Sequence, residues 1–317
     1  RPGRSQHQAL DALSVGIRRE KVRWVLDADI QGFFDTLDHG WLLKFVEHRV
    51  GDRRVVRLIQ KWLKAGVLED GKRVRSEVGT VQGGSISPLL ANIYLHYVLD
   101  LWVQAWRKKR WRESTIIVRY ADDFILGFAY REKAVQFLAE LKERLEKFGL
   151  KLHPEKTRLI EFGLFARADC RRRGRRKPET FDFLGFTHIC GRRRSGWFTV
   201  LRKTMRKRLV AKLHEVKEEL RKRRHQSVAE QGQYVQAVLT GHYRYYGVPG
   251  NSGSLCGFRN QVGWLWVRSL RRRSQTHRLH GPRAWKLVSP WLVPAHICHP
   301  HPERRFAVTI RGKSRMR

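Results

Sequence analysis

The sequence predicts an α+β domain followed by a strongly basic, mainly α-helical one. Three observations carry this. Short apolar runs with strand character alternate with helical periodicity over roughly the first 190 residues. After residue 204 the pattern becomes long amphipathic helix. The charge shifts at about the same place: residues 1–160 carry 30 basic and 20 acidic side chains, residues 161–317 carry 36 and 9.

The elements follow in order. VRWVLDADI at 22–30 is a strand ending in Asp29. Residues 39–50 and 53–65 (RRVVRLIQKWLKA) have helical spacing, and residues 72–79 form a short hairpin arm. Ser87 and Pro88 start a helix, Ser as N-cap and Pro in the first turn, that runs to about Arg107. Its apolar stretch is interrupted by Asn92, His96 and Asp100 and is too short to span a bilayer, so a buried helix is expected and no membrane partner. TIIVR at 115–119 and FILGF at 124–128 flank Tyr120-Ala121-Asp122-Asp123 as a β-hairpin with two carboxylates at its tip. Residues 131–148 form an amphipathic helix ended by Gly149, and a strand follows Lys156. RADCRRRGRRKPE reads as a basic loop around 166–180, and 181–189 with 196–201 as a hairpin. A helix spans 204–225 with Met205, Leu209, Leu213, Val216 and Leu220 as its apolar stripe, and further helices lie at 230–246 and 254–273.

Composition narrows the function. The chain has 317 residues, long enough for two domains, and 41% hydrophobic residues, which excludes a disordered polycation. A net charge of +37 points to a polyanion partner. The four cysteines, Cys170, Cys190, Cys256 and Cys298, form no CxxC pair, as expected of free thiols in a reducing compartment. His296, Cys298, His299 and His301 are metal-ligand types, but with no second cluster and with flanking prolines they read as a loop. No signal peptide is visible. The chain begins at Arg1 inside a motif, as expected of an N-terminally shortened piece.

Chemistry concentrates on carboxylates. If the strands ending at Asp29 and leading to Asp122-Asp123 are neighbours, their side chains converge. Such a group suits phosphoryl transfer assisted by two Mg²⁺ ions, which prefer carboxylate and carbonyl oxygens. Asp29, Asp122 and the carbonyl of Ile30 are the first candidates, with Asp123 as an outer or orienting member. Taken alone, each motif also fits a plainer reading, a polar turn for Asp122-Asp123 and a strand end for Asp29.

The ordered series WVLDADIQGFFDTLDH, GTVQGGSISPLLANIYL, VRYADDFILGF, FGLKLHPEKT and FDFLGF resembles the successive palm motifs of reverse transcriptases, and YADD is the form seen in group II intron-encoded proteins. The resemblance covers about residues 1–190 and implies a right-hand polymerase palm with partial fingers. It implies that Asp29, Asp122 and Asp123 form the catalytic metal site. It places Phe34 at the aromatic gate against ribonucleotides, although Phe33 and simple core packing compete for that reading. Gln82, Gly83 and Gly84 match the nucleotide and template site, or an ordinary turn. Lys156 matches the lysine that protonates leaving pyrophosphate, or is a solvated lysine. Phe183, Leu184 and Gly185 match the primer grip. Arg1-Pro2-Gly3-Arg4 resembles the tail of the finger segment. The basic fingers upstream and a downstream HNH-type endonuclease are not seen, so activity of this chain alone is in question.

Residues 191–317 resemble, more loosely, the thumb and maturase domain of the same family, through KTMRKRLVAKL, VLTGHYRYYGVPGN and WVRSLRRRSQ. Arg202, Arg206, Arg208, Arg221, Arg223 and Arg224 lie on or beside one helix, and Arg271, Arg272 and Arg273 form a second cluster. They are candidate RNA phosphate contacts, though a solvated helix face would look similar. Tyr243, Tyr245 and Tyr246 suit base stacking, with core packing expected for at least two. The expectation is an RNA-directed DNA polymerase that binds group II intron RNA, assists splicing, and copies RNA from a DNA primer or target DNA with deoxynucleoside triphosphates. It would act in a bacterial cytoplasm as a ribonucleoprotein. The rivals are an RNA-binding splicing cofactor without polymerase activity, a reverse transcriptase of another bacterial lineage, and a cyclase-type palm.

Overall fold

The computed structural model describes residues 4–64, 67–69, 72–74, 79, 86–110, 115–193, 195–273, 279 and 281–305. The chain divides into two units, Arg1–Glu179 and Thr180–Arg317.

The first unit opens with helix α1 (Gln6–Arg19), which the sequence reading did not single out. Its signal is Ser5-x-x-Gln8. The Gln8 amide donates to Ser5 Oγ at 3.4 Å and the Ser5 amide donates to Gln8 Oε1 at 2.9 Å, a reciprocal capping box. Strand β1 (Trp24–Ala28) follows, then α2 (His39–Glu47), capped by Asp38, and α3 (Arg53–Lys64). Among the described residues, strands β2 (Val67–Glu69) and β3 (Lys72–Val74) pair with each other in a sheet of two.

The helix expected from Ser87 to Arg107 is present but differs in two ways. Ile86 occupies the cap position with no side-chain cap bond, and Ser87 is already helical. The helix is also not uniform: α4 (Ser87–Leu95) passes through a π-helical turn, His96–Asp100, before α5 (Leu101–Arg110). Then come β4 (Ile116–Tyr120), β5 (Asp123–Phe128), α6 (Arg131–Glu146) and β6 (Arg158–Glu161). The basic stretch expected to be a loop contains helix α7 (Ala166–Arg172). Tertiary contact overrides its poor helical pattern. Asp169 and Cys170 are buried, and Asp169 pairs with Arg172 one turn away and with Arg23 at 3.3 Å.

The strands form one antiparallel sheet in the order β4-β5-β1-β6. Leu26 and Ala28 of β1 and Phe124, Leu126 and Phe128 of β5 face a core with Tyr94, Phe137, Leu141 and Leu145 from the helices. Helix α1 packs on β4, and β5 is buried on both faces after its first residue. Each of the buried Leu and Phe side chains contributes about 1.5–3 kcal/mol of burial, so the sheet is a rigid base for whatever sits at its edge.

In the second unit β7 (Phe181–Phe183), β8 (Phe186–Arg192) and β9 (Phe198–Thr204) form a three-stranded meander where a two-stranded hairpin was expected. The expected boundary at residue 190 falls inside β8, whose pairing on both sides keeps 181–204 in one sheet. Helices α8 (Arg206–Lys222), α9 (Val228–Tyr246), α10 (Ser252–Arg271) and α11 (Gly281–Val288) complete the unit. Gln231 is fully buried at their centre. It donates to the Arg223 carbonyl at 2.6 Å and accepts from Trp266 Nε1 at 2.8 Å, serving the carbonyl end of α8 and the indole together. Asn251 binds the Thr204 amide and hydroxyl, at 3.1 and 2.9 Å, and so ties the meander to the turn before α10.

Candidate active site

The register of the sheet places the expected carboxylates at one end of neighbouring strands. Ala28 pairs with Phe124, so Asp29 follows opposite Asp123. Tyr120 pairs with Asp123, which leaves Ala121 and Asp122 as the two residues at the hairpin tip. The tight tip forces Ala121 into the left-handed region, φ +55°. All three aspartates thus belong to one end of adjacent central strands.

The segment after α6 closes over this end. Its backbone pairs with the residues following β1: Gln31 donates to the Lys151 carbonyl at 2.8 Å, and His153 donates to the Asp29 carbonyl at 2.8 Å. Lys156 then places its Nζ 2.9 Å from Asp29 Oδ2. Two residues on, Arg158 approaches Asp27 at 3.4 Å. The donor set, carboxylates with the Ile30 carbonyl close by in sequence, is hard oxygen of the kind Mg²⁺ selects. Among the described residues no group of three or more His, Cys, Asp or Glu is gathered so as to hold a metal ion. The aspartates are neighbours in the sheet without being closed into a cage.

Phe33 and Phe34 separate cleanly. The turn at Gly32 sends Phe33 into the core at 3% exposure, whereas Phe34 stays half-buried, its ring edge-on to Phe33 at 5.3 Å. Gln82, Gly83 and Gly84 lie outside the described residues. The run that leads to them is anchored by Gly79, which donates to the Leu37 carbonyl at 2.8 Å. A Cβ at Gly79 would sit 2.8 Å from the Asp35 carbonyl oxygen, and its φ is +91°, so only glycine fits there.

In the second unit, Phe183, Leu184 and Gly185 form the β7–β8 turn. Leu184 (φ +47°) and Gly185 (φ +77°) are both left-handed, as a two-residue hairpin of this hand requires. Tyr245 steadies it by donating to the Leu184 carbonyl at 2.9 Å. Tyr243 is fully buried and donates to the Val293 carbonyl at 3.0 Å, and burial pushes its phenol up to about 12. Tyr245 and Tyr246 are half-buried.

The basic candidates divide. Arg206, Arg208, Arg221, Arg271, Arg272 and Arg273 are exposed. Arg223 and Arg224 are half-buried; Arg223 pairs with Glu219 at 2.8 Å and lies 4.8 Å over the Tyr234 ring. Arg202 is a correction. It is 2% exposed, so its guanidinium is not offered to a polyanion. It lies on β9 on the inward face with Val200 and Thr204, opposite His188. Burial, and then the Arg202 charge, push the His188 imidazole down to about 3, so it is neutral. The alternation of a strand, applied to Val200-x-Arg202-x-Thr204, would have found this. In the 296–301 segment, His299 donates to the Arg244 carbonyl at 2.7 Å and accepts from Arg305 at 2.8 Å, while His296 donates to the Pro294 carbonyl at 3.0 Å.

Arg119 was not among the expected site residues, yet it donates to the Ala121 carbonyl at the hairpin tip at 2.7 Å. Its signal was an arginine in an otherwise apolar strand, together with the polar interruptions Asn92, His96 and Asp100 of an apolar helix.

A family model described as reverse transcriptase (RNA-dependent DNA polymerase) matches residues 1–188. The chain is 45% identical over 116 residues to the group II intron-encoded protein LtrA of Lactococcus lactis subsp. cremoris, over 36% of this chain and 18% of that protein. It is 32% identical over 189 residues to protein YkfC of Escherichia coli K12, over 50% of each. It is 40% identical over 104 residues to an uncharacterised 91 kDa protein in the cob intron of Schizosaccharomyces pombe, over 33% of this chain and 12% of that protein. The chain therefore spans at most half the length of these relatives. Among the described residues no helix is long and apolar enough to cross a membrane.

Proposed function

The chain belongs to the reverse transcriptase (RNA-dependent DNA polymerase) family, and from that premise we propose that it is part of a group II intron-encoded reverse transcriptase and maturase. It binds its intron RNA, assists splicing by stabilising the folded RNA, and extends a DNA primer or nicked target DNA on an RNA template. It works as a ribonucleoprotein in a bacterial cytoplasm. The observation that carries the reading is the register that sets Asp29 opposite Asp123, beside Asp122 at the tip, with Lys156 on Asp29.

Asp29, Asp122 and the Ile30 carbonyl would hold Mg²⁺, with Asp123 as the outer carboxylate. When bound, two such ions lower the pKa of the primer hydroxyl and neutralise charge on the leaving oxygens. The chain's residues do the rest. Phe34 presents a half-buried ring that excludes a ribose 2′-hydroxyl. Gln82, Gly83 and Gly84 line the nucleotide and template. Lys156 delivers a proton to the departing pyrophosphate. The Phe183-Leu184-Gly185 turn, fixed by Tyr245, holds the primer end. Arg206, Arg208, Arg221 and Arg271–Arg273 supply phosphate contacts whose affinity falls steeply with salt.

The test is primer extension on an RNA template with Mg²⁺ and deoxynucleotides, comparing the chain with Asp122→Ala. Extension by the parent alone is expected, with RNA binding and splicing assistance kept in the variant. RNA binding without extension by either would replace the polymerase reading with that of a splicing cofactor. An equal loss of splicing in Asp122→Ala would refute the separation of the two functions.

A further inference from the structure

The left-handed tip carries Asp122, yet a non-glycine residue in that region costs on the order of 1–2 kcal/mol. The turn therefore gains from a side-chain support beyond the ladder bonds of the hairpin backbone. Arg119, on β4, is two residues before Ala121, and it donates from Nη1 to the Ala121 carbonyl at 2.7 Å. That carbonyl belongs to the peptide leading into Asp122. The same Nη1 donates to Asn92 Oδ1 at 3.0 Å. Nε and Nη2 grip Asp100 through both carboxylate oxygens, at 2.8 and 2.6 Å. All three guanidinium nitrogens are therefore engaged, and the side chain is only 13% exposed.

The anchors are themselves fixed. Asn92 donates from Nδ2 to the Pro88 carbonyl at 2.9 Å, which turns its Oδ1 towards Arg119. Asp100 closes the π-helical turn, and His96 lies 3.5 Å from it. Residues eight apart on a regular α-helix point about 80° away from one another. The wider turn between Asn92 and Asp100 changes that phase, and both reach the one guanidinium. A π turn inside an α-helix often marks a functional site, and here it has a definite task.

We infer that Arg119 is the positioning residue of the carboxylate hairpin, held by Asp100 and Asn92 so that it sets the backbone at Ala121 and thereby the direction of Asp122. Every one of its guanidinium nitrogens is bonded within the chain, which makes its role one of orientation. Its charge is matched by Asp100, so it adds little net positive charge beside the aspartates. A lysine cannot replace it, because an ammonium has no planar fork to grip a carboxylate with two nitrogens and keep a third for the tip. The inference rests on the polymerase reading for its purpose but not for its geometry.

The experiment compares the chain with Arg119→Lys and Asp100→Asn by three readouts. Hydrogen exchange follows the amides of Ala121, Asp122 and Asp123. Electron paramagnetic resonance follows binding of Mn²⁺ alone. Single-nucleotide extension separates kcat from KM. In Arg119→Lys, exchange at the tip rises roughly tenfold or more, Mn²⁺ affinity falls about tenfold, and kcat falls about a hundredfold with KM for the nucleotide little changed. Asp100→Asn, which keeps one acceptor for the fork, lies between. Tip exchange unchanged in both variants overturns the inference. Loss of RNA affinity with unchanged tip exchange also overturns it and makes Arg119 a nucleic-acid contact. If the parent chain neither binds Mn²⁺ nor extends a primer, the polymerase reading fails, and exchange still decides the positioning role.

Discussion

Replacing Lys156 by Met should move metal binding and catalysis in opposite directions. Its Nζ is 2.9 Å from Asp29 Oδ2, with the two side chains 63% and 35% exposed. At that separation two unit charges in water attract by about 1.4 kcal/mol. Exposed pairs deliver about 0–1 kcal/mol once screening and side-chain entropy are counted. Losing the lysine should therefore shift the melting temperature of the first unit by no more than about 4 °C. It also removes a cation that competes for Asp29, so Mg²⁺ should bind about two- to fivefold more tightly. If Lys156 is the general acid, nucleotide addition should slow by about 10²–10⁴-fold. Lys156→Arg separates charge from proton delivery, since a guanidinium keeps the charge and gives up its proton poorly. It should show parental metal affinity with slow chemistry. The assay is rapid-quench extension across a Mg²⁺ titration, with Mn²⁺ binding measured by paramagnetic resonance. Weaker metal binding in Lys156→Met would refute the competition argument. Full activity in Lys156→Arg would refute the proton-donor role.

Two further outcomes are expected. Trp197 is 75% exposed on the β8–β9 connection next to exposed Arg192 and Arg193, so Trp197→Ala should leave thermal stability unchanged but weaken RNA binding by the equivalent of about 1–3 kcal/mol, read by filter binding at fixed salt, if the ring stacks on a base. Asp169 is held below the usual carboxylate range by the hydrogen bond from Arg172 and then by Arg23, against the opposing effect of burial. A depressed pKa stabilises the fold above the unfolded value of about 3.9 and ceases to do so as pH falls through the folded value. Asp169→Asn should therefore cost about 1–2 kcal/mol at pH 7 by urea denaturation. The gap to the parent should close in acid, and a constant gap down to pH 2 would contradict the assignment.

Much of the site was legible because the relevant patterns are local. A strand ending in Asp29 and a hairpin tipped by Asp122 each follow from a short apolar run and a turn. Their adjacency is the one non-local step, and the ordered motif series supplied it. What stayed hidden depends on partners far away in sequence. Helix α7 buries Asp169 and Cys170 and adds to the local Arg172 bond a second one from Arg23, which no periodicity within 166–180 can reveal. The π turn at 96–100 has no composition signal, and its Asp100 meets Arg119 from a separate strand. Arg202 was misread because a basic run looks uniform until the strand's alternation is imposed on it. Phe33 and Phe34 were indistinguishable by type; the turn at Gly32 decided which one the core takes.

The two sides of the candidate site are held with different stiffness, and this follows from their exposure. Asp29 has a main-chain anchor, the bond from His153 to its carbonyl, but its side chain rests on an exposed lysine. Such a pair is cheap to break, as a carboxylate must be if it is to exchange one cation for another. Asp122 sits on a strained tip, and there the support is a shielded guanidinium with every nitrogen committed. Breaking that bracket would cost more, because a charge shielded from water loses its partner. A metal site needs both properties. One ligand must be free to leave a temporary partner, and another must already point where the ion will be, because misplacement of about an ångström is costly for an in-line transfer. For a metal bound as proposed, the sheet would supply the common frame, Lys156 the exchangeable contact, and Arg119 the fixed one.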